Sequence, residues 1–145
     1  MGNDFIAVRP RGYTGFSMTT KRVDPKEAKA LVDGGWTYVD VRTEQEFESG
    51  HPSGSINIPL SSPDFLAVMK ANFPYDTKLV VGCLLGGRSA RACAMLEADG
   101  YQQLVDQTAG WGGQRDGSGR VVLAGWLDSQ LPVGGGKRYA DVRKG

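Results

Sequence analysis

Lys78 to Gly100, KLVVGCLLGGRSARACAMLEADG, reads as a buried strand, a short glycine-bearing loop and a helix, with a cysteine at the junction. Leu79, Val80 and Val81 form a short apolar, β-prone run. Arg88 to Asp99 is rich in helix formers and stops at Gly100, a residue suited to a left-handed C-cap. Cys83 therefore falls at the carboxyl end of a strand. Between Cys83 and Arg88 lie only Leu84, Leu85, Gly86 and Gly87, so the loop is tight, and its glycines reach backbone angles closed to other residues. A loop that curls this way aims successive backbone N–H groups, and the N-terminus of the following helix, at the space above the sulfur. The result is a nest for an anion, with the Arg88 guanidinium at its end, and it favours a thiolate over a thiol. A thiolate, a persulfide or an oxyanion would each suit such a cradle.

Upstream, Trp36 to Val41 read as a second strand running into Asp40 and Arg42, and Thr43 with Glu46 has the spacing of a capping box. Asp24, Pro25 and Glu27 open an earlier helix, with Asp24 as N-cap, Pro25 at the first helical position and Ala28, Leu31 and Val32 as its buried stripe. Ser55 to Ile58 predict another core strand. Ser62 and Pro63 open a helix whose apolar positions are Phe65, Val68, Met69 and Phe73. After Gly100, Gln103 to Val105 predict a further strand. Gln114 to Ala124 read as an inserted hairpin turning at Asp116 to Gly119, and Gly125 with Trp126 as the start of a last helix. Strands alternating with helices predict an α/β domain with a largely parallel sheet, whose ligand crevice lies at the carboxyl ends of the strands.

Two stretches resemble one known family. CLLGGRS, Cys83 to Ser89, is similar to the CxxGxRS active-site loop of rhodanese-like sulfurtransferases, and YVDVRTEQEFESGHPSGSINIPL, Tyr38 to Leu60, resembles that family's amino-terminal signature. They stand in the family's order, and the likeness runs from about Val23 to Val133. It implies a single rhodanese-like domain over residues 21–134, with a largely parallel central sheet flanked by helices. Residues 1–20 are then an N-terminal extension or arm, and residues 135–145 a glycine-rich, basic C-terminal tail. It also implies an enzyme: Cys83 accepts a sulfane sulfur as a persulfide and passes it on, while Arg88 closes the cradle. Leu84, Leu85, Gly86, Gly87 and Ser89 hold the substrate, and Asp40 and Arg42 support the loop or touch the substrate. The partners implied are a small sulfur donor and a thiol or cyanide acceptor, with a protein persulfide as a further donor. No cofactor or metal is called for.

Other residues leave more than one reading. His51, the one histidine, orders a turn or acts as a base. Trp111, in TAGWGG, lines the mouth or caps the core. Cys93 shares a helical stripe with Ala92 and Leu96, which makes it a packing residue or a resolving thiol. If the helix starts near Arg88, it stands about 10 Å or more from Cys83, beyond disulfide reach. Leu84 and Leu85 supply only backbone N–H groups. That favours a protein persulfide or a low-molecular-weight thiol as partner, with thiosulfate a serviceable test donor.

Composition narrows the alternatives. With 145 residues the chain suits one domain, and a net charge of +1, from 17 basic and 16 acidic residues, offers no electrostatic pull toward nucleic acid or membrane. No apolar run has the length of a membrane span, and two cysteines with one histidine fall short of a closed structural zinc site. A cytoplasmic, reduced protein is the expectation. The competing functions are a cysteine-loop phosphatase or arsenate reductase and a non-catalytic binding module. The first is disfavoured because the loop is one residue shorter than those enzymes use, the second because Cys83 and Arg88 are both present.

Overall fold

The computed structural model describes residues 20–144, so the expected arm lies, apart from Thr20, outside the described residues. Five parallel strands form the central sheet: β1 (Lys21–Val23), β2 (Thr37–Asp40), β3 (Ile56–Asn57), β4 (Lys78–Gly82) and β5 (Gln103–Gln107), in the order β1-β5-β4-β2-β3. β4 lies in the middle because Leu79, Val80 and Val81 are fully buried, as suits a strand covered on both faces. Its side chains alternate. Leu79 and Val81 join Val39, Phe65, Met69 and Leu96 in one core, while Val80 joins Val23, Ala28, Tyr38, Val105 and Trp126 in the other. The strand's period of two thus assigns each neighbour to a face.

Helices α1 (Pro25–Asp33), α2 (Glu44–Glu48), α3 (Phe65–Asn72), α4 (Gly87–Asp99) and α5 (Tyr139–Val142) cover this sheet. Both expected capping boxes form: Asp24 with Glu27, and Thr43 with Glu46. The chain leaves β4 toward β5 but leaves β2 toward β3. The loops after these adjacent strands therefore part, and Cys83 lies at that switch point, where a parallel sheet opens a crevice. A separate hairpin, β6 (Gln114–Arg115) with β7 (Val121–Leu123), is antiparallel as expected.

Two expectations fail. Residues 126–130 make consecutive turns rather than a helix: Ser129 N–H donates to the Gly125 carbonyl, but Gln130 adopts a left-handed φ of 57° and Pro132 follows soon after. The stretch from residue 135, read as a tail, is docked. Gly134, Gly135 and Gly136 take φ of 99°, 69° and 81° and fold the chain back along β3. Lys137 N–H there donates to the Ser55 carbonyl and Asn57 N–H to the Lys137 carbonyl. Tyr139 and Val142 then enter the core. A glycine-rich end reads as a tail, yet here each of the three glycines supplies a left-handed angle that the fold uses.

Candidate active site

The loop after β4 curls around the sulfur. Cys83 Sγ accepts the backbone N–H of Gly86 at 3.1 Å and of Ser89 at 3.3 Å. Gly86 makes the curl with φ 105°; a Cβ there would lie 2.4 Å from the Thr108 carbonyl oxygen. The segment after β5 braces the loop from outside. Trp111 N–H donates to the Cys83 carbonyl at 2.7 Å and Gly112 N–H to the Leu84 carbonyl at 3.0 Å. Gln114, at the base of the hairpin, donates through Nε2 to the Leu85 carbonyl at 3.3 Å. Cys83 is only 2% exposed, whereas Leu85 at the rim is 54% exposed. Leu84 and Gly86 are half-buried and Gly87 is exposed.

Ser89 is fully buried, and its Oγ donates to Asp106 Oδ1 at 2.7 Å. Arg88, expected to close the cradle, is paired with α2: Nη1 and Nη2 meet the two Glu46 carboxylate oxygens at 2.6 and 3.0 Å. Chiefly this hydrogen bond pulls the Glu46 carboxyl down to about 2. The same partner, with lesser help from Cys83 and Asp40, pushes the guanidinium up from its already high value. Since Glu46 is depressed, the pair's stabilisation is complete above the ordinary carboxylate range, shrinks below it and is lost as pH falls through about 2. Urea unfolding at pH 6 and pH 2 checks this: Glu46→Gln should be less stable than the natural protein at pH 6, with most of the difference gone at pH 2.

Asp40 and Arg42 form a buried ion pair, each 1% exposed. Arg42 Nε meets Asp40 Oδ1 at 3.0 Å and Nη2 meets Oδ2 at 2.7 Å; Nη2 also donates to the Gly50 carbonyl at 2.7 Å. The guanidinium lies 5.3 Å from the Trp111 ring centroid, and that ring packs on Gly50. These contacts tie the end of β2 to the segment bracing the Cys83 loop. Arg42→Met strands the Asp40 charge and should cost about 3–5 kcal/mol, with much of that recovered in Asp40→Asn/Arg42→Met, as read from denaturant midpoints.

His51 stacks on Phe47, with ring centroids 3.6 Å apart, and its Nδ1 and Nε2 face the carbonyls of Phe47 at 2.7 Å and Gly135 at 2.5 Å. Both nitrogens are engaged in ordering the turn and the docked carboxyl-terminal segment. Cys93 is 1% exposed in the core, where burial pushes its thiol well up, and neither cysteine is disulfide-bonded. A cleft of about 600 Å³ is lined by Thr43, Pro59, Ser62, Asp64, Tyr139 and Arg143 among others, and no residue of the Cys83 loop lines it.

Asp106 and Gln107 escaped the sequence reading. Gln107 is buried, donates through Nε2 to the Gly110 carbonyl and the Tyr38 hydroxyl, and accepts the Gly110 N–H. It thereby shapes the bracing segment. The available signal was polar residues ending an otherwise apolar strand, the same arrangement that marks Asp40.

A family model described as Rhodanese-like domain matches residues 24–113. The chain is 35% identical over 98 residues to Protein HIGH ARSENIC CONTENT 1, mitochondrial, of Arabidopsis thaliana, a match covering 61% of this chain and 58% of that protein. It thus spans under two thirds of that relative's length. Thiosulfate sulfurtransferase 16, chloroplastic, also of Arabidopsis thaliana, is 36% identical over 93 residues, covering 58% of this chain and 78% of that protein. The crystal structure of Rv0390 from M. tuberculosis superposes with a TM-score of 0.70 at 22% identity, over 79% of this chain and 97% of that one; at this identity the likeness speaks for the fold.

Proposed function

The chain belongs to the rhodanese-like domain family, and on that premise we propose that it is a sulfurtransferase working through a persulfide on Cys83. One observation carries the reading: two backbone N–H groups converge on the Cys83 sulfur at the switch point of the sheet. Relatives named thiosulfate sulfurtransferase support it.

In the first half-reaction the Cys83 thiolate attacks the outer sulfur of the donor. A new S–S bond forms, the donor's own S–S bond breaks, and the remainder leaves with the electron pair, as sulfite when the donor is thiosulfate. In the second, a thiolate or cyanide attacks the outer sulfur and Cys83 departs as thiolate. The Gly86 and Ser89 donors stabilise negative charge between them throughout. A persulfide places the reactive atom about 2 Å beyond the Cys83 sulfur, which is itself buried. The Arg88–Glu46 pair walls one side. Arg88→Ala should slow transfer roughly tenfold to a hundredfold, as measured by thiocyanate formation; an unchanged rate would remove Arg88 from the site.

The leucines at the rim favour a protein persulfide or low-molecular-weight thiol over thiosulfate as the physiological partner. Steady-state efficiencies measured with each would decide, and a strong preference for thiosulfate would reverse that assignment. Cytoplasmic residence belongs to the same proposal and rests on two cysteines that form no disulfide with each other; separately, among the described residues no helix is long and apolar enough to cross a membrane. The direct experiment is intact-mass spectrometry after incubation with thiosulfate. A gain of one sulfur on Cys83, lost again on adding cyanide, is the expected result, and an unchanged mass would overturn the reading.

A second reading, arsenate chemistry at the same loop, draws on the relative whose name ties it to arsenic. The four-residue spacing between Cys83 and Arg88 makes a ring sized for one sulfur rather than a tetrahedral oxyanion. Thiol-dependent arsenate reduction faster than sulfur transfer would reverse the order of the two.

A further inference from the structure

Asp106 ends β5 with 3% of its surface exposed. Burial without a matching charge is costly for a carboxylate, and among the described residues Asp106 has no close ion pair of the kind Asp40 has with Arg42. Its neighbours are the Ser89 hydroxyl on α4, Arg22 opposite it in the β1 register, and Cys93. The directed contact, from Ser89 Oγ at 2.7 Å, leads to the reacting sulfur. Ser89 N–H reaches Cys83 Sγ, and Ser89 Oγ also stands 3.2 Å from the Gly86 carbonyl. Gly86 in turn supplies the other N–H on that sulfur. One serine side chain therefore touches both members of the amide pair, and its hydroxyl has one proton for two acceptors. The nearer, Asp106, sets the rotor and with it the first turn of α4.

We propose that Asp106 is a positioning residue for Cys83: by holding the Ser89 hydroxyl it fixes the direction of the Gly86 and Ser89 N–H groups that bracket the sulfur. This rests on the sulfurtransferase reading, and it predicts that the two side chains act as one unit. Asp106→Asn keeps an oxygen for Ser89 and loses the charge; Asp106→Ala loses both; Ser89→Ala removes the link from the other side.

The test compares kcat and KM for thiosulfate-to-cyanide transfer, and the amide ¹H and ¹⁵N shifts of Gly86 and Ser89, in the natural protein, the three single variants and Asp106→Ala/Ser89→Ala. Asp106→Ala and Ser89→Ala should each lower kcat about tenfold, the cost of misaiming donors rather than deleting them, with KM changed by less than about twofold. The double variant should be no slower than either single one. Asp106→Asn should restore most of kcat, and the two amide shifts should move together in both alanine variants and stay in place in Asp106→Asn. Natural kcat in Asp106→Ala, multiplying losses in the double variant, or an asparagine variant as slow as alanine would each overturn the proposal. Should Asp106→Ala not fold, Asp106→Asn and Ser89→Ala decide by the same criteria. A natural protein that transfers no sulfur would sink the enzymatic reading alone, because the amide shifts still report whether Asp106 orients the bracket.

Discussion

Cys83→Ser is expected to lose sulfur transfer by more than about a thousandfold, the scale on which removal of a covalent nucleophile is felt. An alcohol oxygen cannot form the S–S bond on which both half-reactions depend. The fold should survive, since serine places an oxygen where the sulfur accepts the Gly86 and Ser89 N–H groups. The change in stability should stay within about 1 kcal/mol, because both backbone N–H groups keep an acceptor. Thiocyanate formation and a urea titration on the same preparation separate the two effects. Cys93 gives the control: it is deep in the core and its thiol is pushed well up by burial, so Cys93→Ala should cost stability yet still gain sulfur on thiosulfate treatment. Retained transfer in Cys83→Ser, or a sulfur gain that vanishes with Cys93 instead, would discard the mechanism.

What was legible in the chain followed from local chemistry. The strand-loop-helix around Cys83, both capping boxes and the hairpin after Gln114 rest on residues within a few positions of one another, and the structure has them all. The resemblance carried the family, and the alternation of strands with helices carried the parallel sheet. Apart from the last helix, broken locally at Gln130 and Pro132, what was missed depended on partners distant in sequence. The glycine-rich stretch reads as a tail because nothing nearby shows that Ser55 and Asn57 would pair with Lys137. The pairing of Arg88 with Glu46 went unseen because Glu46 reads locally as a helix cap, although its carboxylate serves both. Asp106 went unremarked because its partner, Ser89, lies on a different element. In each case a backbone or charged group chose a partner that sequence spacing does not reveal.

Gly86→Ala carries the second large effect, and its neighbour provides the contrast. Gly86 is left-handed at φ 105°, and an added methyl would lie 2.4 Å from the Thr108 carbonyl oxygen. That oxygen belongs to backbone, in a segment fastened by Thr108 N–H to the Val23 carbonyl and by Trp111 N–H to the Cys83 carbonyl. It has no side chain to swing aside. The strained backbone angle alone costs about 1–3 kcal/mol. Relief comes only if the loop unwinds at Gly86, which withdraws one of the two N–H groups on the sulfur. Removal of such a donor costs roughly a hundredfold to a thousandfold in rate, so Gly86→Ala should fall by at least about a hundredfold in kcat while the far-ultraviolet spectrum stays native. Gly87, the first residue of α4, has no positive φ, and a methyl added there would meet nothing within 4 Å among the described residues. Gly87→Ala should therefore hold or raise stability, by up to about 1 kcal/mol from helix propensity. Equal destabilisation of the two variants, or normal kcat in Gly86→Ala, would mean that the loop's curl does not set the chemistry at Cys83. The whole reading of the site depends on that curl, since among the described residues it is backbone, through Gly86 and Ser89, that meets the sulfur at hydrogen-bonding distance.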